Sequence, residues 1–134
     1  MLLVGCSYLS GCQSQAQTLY EVEAGIKEKD VIISSEGITN LHVFNAFYDA
    51  VMRKQTSHVV LVTEHGHQYE KEVLAFSDDC IKRYSNIDET NTGYQSYDMV
   101  MYDEIKQIFK DDTVSYLLIS DDREEEIISY TLEN

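Results

Sequence analysis

From Leu41 to Lys54 the apolar residues return every three or four positions. Leu41, Phe44, Phe47, Tyr48 and Val51 share one helical face, with Asn45 and Asp49 on the other. Thr39 or Asn40 stands ahead with a side-chain oxygen able to accept a free first-turn amide, and Arg53 and Lys54 close the helix where cations suit its dipole. The spacing predicts a helix over 40–54. The period then changes from 3.6 to 2. Ser57–Thr63 is a β-branched run apolar enough for a central strand, and Gly66 ends it. Tyr69–Phe76 alternates, Ser77–Asp79 has turn composition, and Cys80–Tyr84 makes a third strand, so the three form a meander. Residues 85–96 are polar and read as a loop, and Tyr97–Tyr102 alternates weakly. Asp103 caps a short helix carrying Ile105, Ile108 and Phe109. Val114–Ile119 is a further strand, and Ile127–Leu132 pairs with it across the acidic turn Asp121–Glu126. Upstream, Asp30–Ile33 is a short strand or an extended lead-in.

This order defines an α+β fold: a mostly antiparallel sheet, made of a meander plus a C-terminal hairpin, packed against one main amphipathic helix and one short helix. The 134 residues allow one domain, and 43% apolar content is enough for a core. Residues 30–134 are assigned to that domain. Residues 13–29 are polar and read as a tether, and residues 1–12 as the remnant of a lipoprotein signal.

The N-terminal reading rests on two tetrapeptides, Leu3-Val4-Gly5-Cys6 and Leu9-Ser10-Gly11-Cys12. Each resembles a lipobox, where a bacterial peptidase cuts before a cysteine that carries diacylglycerol on its sulfur. Cys6 and Cys12 are therefore the candidate lipidation sites, with Cys6 preferred because it directly ends the apolar run. A basic n-region should precede such a signal, and no base occurs before Lys27, so the export signal is expected to start upstream of Met1. The expected location is the outer face of the cell membrane, reached through the lipid anchor only. With an odd cysteine count, no disulfide framework is expected, and Cys80 would stand alone in the folded domain.

Charge narrows the partners. Acids number 24 and bases 10, a net charge of −14. That balance repels phosphate backbones and anionic headgroups, which argues against nucleic acid and against flat membrane docking. Asp121, Asp122, Glu124, Glu125 and Glu126 form the densest run and the candidate interaction surface, suited to a basic protein, a basic peptide or a divalent cation. The high charge also favours a monomer.

From Asp30 to Asp122 the order of elements resembles an uncharacterised domain family of small secreted lipoproteins from Gram-positive, spore-forming bacteria. Gly37-Ile38-Thr39-Asn40 ahead of the helix carries most of the likeness. The family turn tends to read Glu-Gly-Asp-Pro, where this chain has Glu64-His65-Gly66-His67. The resemblance implies export and an α+β fold, and it transfers no catalytic residue.

His65 and His67, with Glu64 and Glu70 nearby, are the candidate metal ligands, since imidazole and carboxylate suit zinc or copper. Asp88–Gly93 fails as a calcium loop: threonines stand at the alternate positions, and Met99 stands where the loop needs a glutamate. Catalytic triads, glycine-rich phosphate loops and paired acid–base motifs are missing, so no catalytic residue and no cofactor is assigned. The chain reads as a surface lipoprotein with a small acidic binding domain. The alternative is metal capture, or metal-assisted hydrolysis, centred on His65 and His67.

Overall fold

The computed structural model describes residues 21–22, 29–90 and 93–132. In chain order the elements are β1 (Glu21–Val22), β2 (Val31–Ser34), β3 (Gly37–Thr39), α1 (Leu41–Met52), β4 (Ser57–His65), β5 (Gln68–Ser77), β6 (Cys80–Thr90), β7 (Gly93–Tyr102), β8 (Glu104–Lys110), β9 (Thr113–Ser120) and β10 (Arg123–Thr131). A seven-stranded sheet runs β1-β7-β6-β5-β4-β2-β3, and a three-stranded antiparallel sheet runs β10-β9-β8. The large sheet is mixed, because β2 lies parallel to β4 while its other pairs are antiparallel. The fold is α+β, with one helix among the described residues.

Short turns set the meander. His65 faces Gln68 across Gly66-His67, with Gly66 at φ +64. Ser77 faces Cys80 across Asp78 and Asp79, both left-handed at φ 54 and 60. Two successive left-handed residues match the twist of the flanking strands, and aspartate tolerates that conformation better than most side chains. Asp111, at φ 54, opens the two-residue link from β8 to β9.

Three expectations about elements and caps are corrected. Residues 85–90 and 93–96, expected within a loop, are strand: β6 continues to Thr90 and β7 starts at Gly93, paired from Ile81↔Tyr102 to Thr90↔Gly93. The sequence there is mostly polar, so hydrophobic alternation does not reveal the pairing. The short helix after Asp103 is strand β8. Ile105, Ile108 and Phe109 have helical spacing, but Ile105 is buried while Phe109 is exposed. Pairing with β9 overrides a weak local pattern. Asn40 does not cap α1 with its side chain: it sits at φ 64, and its Nδ2 donates to the Asp30 carbonyl at 2.9 Å. The left-handed turn takes the chain from β3 straight into the helix.

Glu21–Val22, inside the stretch read as tether, pairs with Tyr94 and Gln95 of β7 at the sheet edge.

The core lies on one face of the large sheet. Cross-strand register puts Val59, Leu61, Leu74, Phe76, Ile81 and Tyr102 on that face, and α1 and the small sheet cover them. From α1, Phe44, Phe47 and Val51 are buried. From the small sheet, Ile105, Val114, Tyr116, Leu118 and Ile128 join them. Phe44 meets Tyr116 edge to face at a centroid distance of 4.8 Å, and Tyr48 meets the same ring at 5.1 Å. Asn45, expected on the solvent side, instead accepts a hydrogen bond from the Tyr116 hydroxyl at 2.6 Å, so the inward face of α1 is wider than its apolar stripe.

The opposite face carries a second buried set: Val62, Val73, Cys80 and Tyr84, all 5% exposed or less. Cys80 is disulfide-bonded, which corrects the expectation that it stands alone. The other two cysteines of the chain, Cys6 and Cys12, lie outside the described residues.

Candidate functional site

The acidic end divides in two. Only Asp121 and Asp122 form the turn between β9 and β10; Glu124, Glu125 and Glu126 belong to strand β10. A strand sends neighbouring side chains to opposite faces, so the three glutamates cannot share one surface. Glu124 and Glu126 are exposed, opposite Ile119 and Leu117 of β9. Glu125, opposite the buried Leu118, points inward. The register shifts between Glu126 and Ile128, and this bulge at Ile127 lets both Glu125 and Ile128 face the core side.

Glu125 closes a network between the sheets. Its Oε1 accepts hydrogen bonds from Arg83 Nη1 at 3.0 Å and from the Tyr102 hydroxyl. Arg83 also donates to Glu72 twice, from Nε at 3.1 Å and Nη2 at 3.0 Å. Burial disfavours the charge on Arg83, but its bonds to Glu72, and then its contact with Tyr102, outweigh that and raise its pKa above the ordinary value. Burial and the bond to Glu125 push the Tyr102 hydroxyl up as well. Glu125 is therefore committed to a structural contact, and the surface left for a partner loses one of its five acids.

It gains two others that the sequence pattern did not group with it. Asp103 donates its backbone N–H to the Ile119 carbonyl at 2.8 Å, which holds it beside the β9–β10 turn. Glu104 of β8 is opposite Ile119, and Ile119 is opposite Glu124, so the two glutamates lie on one outward face two strands apart, roughly 10 Å. Reading β8 as a helix hid them; alternation from Glu104 to Lys106, ignored in favour of the Ile105–Ile108 spacing, was the available signal. The outward surface thus holds Asp103, Glu104, Asp121, Asp122, Glu124 and Glu126, all exposed.

The histidines occupy the other end of the β4–β5 hairpin. His65 is the last residue of β4 and His67 lies in the turn, both exposed. His65 Nε2 stands 3.7 Å from Glu70 Oε1, a surface pair. Among the described residues, no group of three or more His, Cys, Asp or Glu stands close enough to hold a metal ion. The candidate lipidation residues Cys6 and Cys12 fall outside the described residues. No helix among the described residues is long and apolar enough to cross a membrane.

No family model, no curated protein and no solved structure matches the chain.

Proposed function

We propose that this chain is a bacterial surface lipoprotein whose acidic α+β domain, a monomer on the outer face of the membrane, binds a basic polypeptide. The observation that carries the anchor is the pair of tetrapeptides ending at Cys6 and Cys12, small residues ahead of a cysteine twice within twelve positions. The secreted-lipoprotein family that Gly37–Asn40 resembles agrees with it.

The kind of partner follows from the spread of charge. A single calcium ion takes oxygens at about 2.3–2.6 Å, so its ligands must crowd within roughly 5 Å of one another. Glu104 and Glu124 belong to strands two spacings apart, on either side of Ile119, and among the described residues no group of three or more His, Cys, Asp or Glu stands close enough to hold an ion. Carboxylates distributed over an edge and a turn suit several lysine or arginine side chains along an extended segment better than one ion.

The test combines location with binding. Expressed behind a complete signal peptide in a bacterial host, the protein should enter the membrane fraction with a diacyl-modified N-terminal cysteine, read by mass spectrometry. The released domain should bind a lysine-rich peptide and not its glutamate-rich counterpart. An uncut, unmodified N-terminus in that host would sink the lipoprotein reading; equal binding of both peptides would sink the charge reading.

A further inference from the structure

Among the described residues the two sheets end in four outer strands: β1 and β3 in the large one, β8 and β10 in the small one. β1 and β3 hold two and three residues, too few to seat another strand of ordinary length. β8 and β10 hold seven and nine. Each pairs only with β9, so its other side leaves backbone N–H and C=O groups for a further chain to take up.

Charge separates these two edges. On the outward face β8 carries Lys106 and Lys110 beside Glu104, whereas β10 carries Glu124 and Glu126 and no base. Arg123 does not offset that pair. It precedes Glu124 on a strand, so its side chain takes the other face, where it meets the Tyr102 hydroxyl. Glu125 lies on that inward face too, held by Arg83 and Tyr102. One side of β10 thus presents two exposed carboxylates, and the other holds two guanidiniums around a carboxylate already engaged.

We propose that β10 accepts the basic polypeptide as a fourth strand of the small sheet, a strand with lysine or arginine at alternate positions and uncharged residues between them. The inference rests on the basic-partner reading and supplies the partner's conformation. An extended chain returns to the same face every two residues, roughly 7 Å, which is also the interval from Glu124 to Glu126. Residues directly opposite on paired strands have β-carbons about 4.5–5.5 Å apart, so each cation meets its own glutamate. A cation at the intervening position would point toward the face of Arg83 and Arg123 and be repelled. A block of adjacent lysines therefore fits poorly. A helix fits no better, because its backbone groups are spent on its own turns.

The length of the edge adds a polarity. A chain running past Arg123 reaches Asp122 and Asp121, both exposed. Past the bulge at Ile127 the outward residues are Ser129 and Thr131. The cations thus belong at one end of the added strand and neutral residues at the other.

The experiment titrates the full chain at low salt with two labelled peptides of one composition, read by fluorescence anisotropy. One alternates lysine and threonine; the other carries the same lysines in a single block. The alternating peptide should bind at least tenfold more tightly. An extended chain turns successive N–H groups to opposite sides, so backbone methylation of one set, the lysines or the threonines, should abolish binding while methylation of the other preserves it. Hydrogen exchange of β10 amides should slow when the peptide binds. The double variant Glu124→Lys, Glu126→Lys should instead prefer an alternating glutamate–threonine peptide. Equal affinity for the alternating and block peptides overturns the inference and leaves the basic-partner reading standing. So does binding that leaves exchange in β10 unchanged. Failure of both lysine peptides to bind overturns the parent reading and the inference with it.

Discussion

Arg83 on β6 grips Glu72 on β5 through two parallel hydrogen bonds of 3.0 and 3.1 Å, a planar fork on a carboxylate with both side chains about one-fifth exposed. The same guanidinium reaches Glu125 on β10, so one side chain ties the large sheet to the small one. Removing it leaves the largely covered Glu72 carboxylate without its guanidinium and cuts the link to the more exposed Glu125. Arg83→Gln should lower stability by roughly 2 kcal/mol, read from the urea midpoint. Glu72→Gln in the Arg83→Gln background should cost little more, because the pair is already broken. Fully additive losses in that double-mutant cycle would show that the two residues do not act together.

The α1 contact gives a second prediction. Phe47 is 2% exposed and lies between the helix and the large sheet, and Phe47→Ala leaves a cavity that neighbouring side chains can close only in part. The expected loss is about 3–5 kcal/mol. Asp49→Ala, on the exposed side of the same helix, should stay within about 0.5 kcal/mol. Comparable losses for the two would mean that α1 is not seated as described.

Alkaline pH should weaken the joint between α1 and the small sheet. Burial first, then the neighbouring Tyr130, pushes the Tyr116 hydroxyl up from 10.0 to about 12. Neutral Tyr116 donates to Asn45 and accepts from Gln107 Nε2 at 2.8 Å; the phenolate could not donate. A folded pKa above the unfolded one means this contribution is fully present below pH 10 and is lost as pH rises through about 12. Urea midpoints between pH 8 and 12 should fall for the wild type. Tyr116→Phe should begin lower and fall less over that window.

A fourth prediction separates surface acids from the inward one. Replacing Asp121, Asp122, Glu124 and Glu126 with Asn or Gln should weaken binding of a lysine-rich peptide at least tenfold at low salt. Added salt should shrink the difference, because exposed charges are screened beyond about 10 Å at 0.1 M. Glu125→Gln should leave binding close to wild type and lower stability instead, since its partners are Arg83 and Tyr102. Unchanged peptide binding in the four-fold variant would remove the acidic face from consideration.

The helix and the β4–β5–β6 meander were legible because each carries apolar residues at a regular spacing. Leu41–Val51 keeps a helical period, and Val59, Leu61 and Phe76 keep a period of two. What escaped was held by pairing rather than by stripes. The outer reaches of β6 and β7 are polar, and β8 has only Ile105 fully inside, so neither offers a periodic signal. The division of the acidic run depended on the bulge at Ile127, which no composition reveals. Asn45 was placed on the outer face of the helix, and Arg83 was read only as part of a strand, with no partner assigned. Their inward roles required partners 71 and 42 positions away in the chain. The Cys80 bridge was hidden by counting: an odd number of thiols does not prevent one pair from forming.

β10 is an outer strand of the small sheet, so one side of its backbone has no neighbouring strand among the described residues. Edges of this kind template association with a second copy. Two molecules meeting antiparallel along β10 would bring Glu124 and Glu126 of one against those of the other, at strand spacing of roughly 5 Å. The same carboxylates that suit a cationic partner thus keep crowded neighbours from zipping together into a shared sheet. Acidification, or the glutamine variant itself, should release that restraint, so light scattering belongs beside any binding measurement made on it.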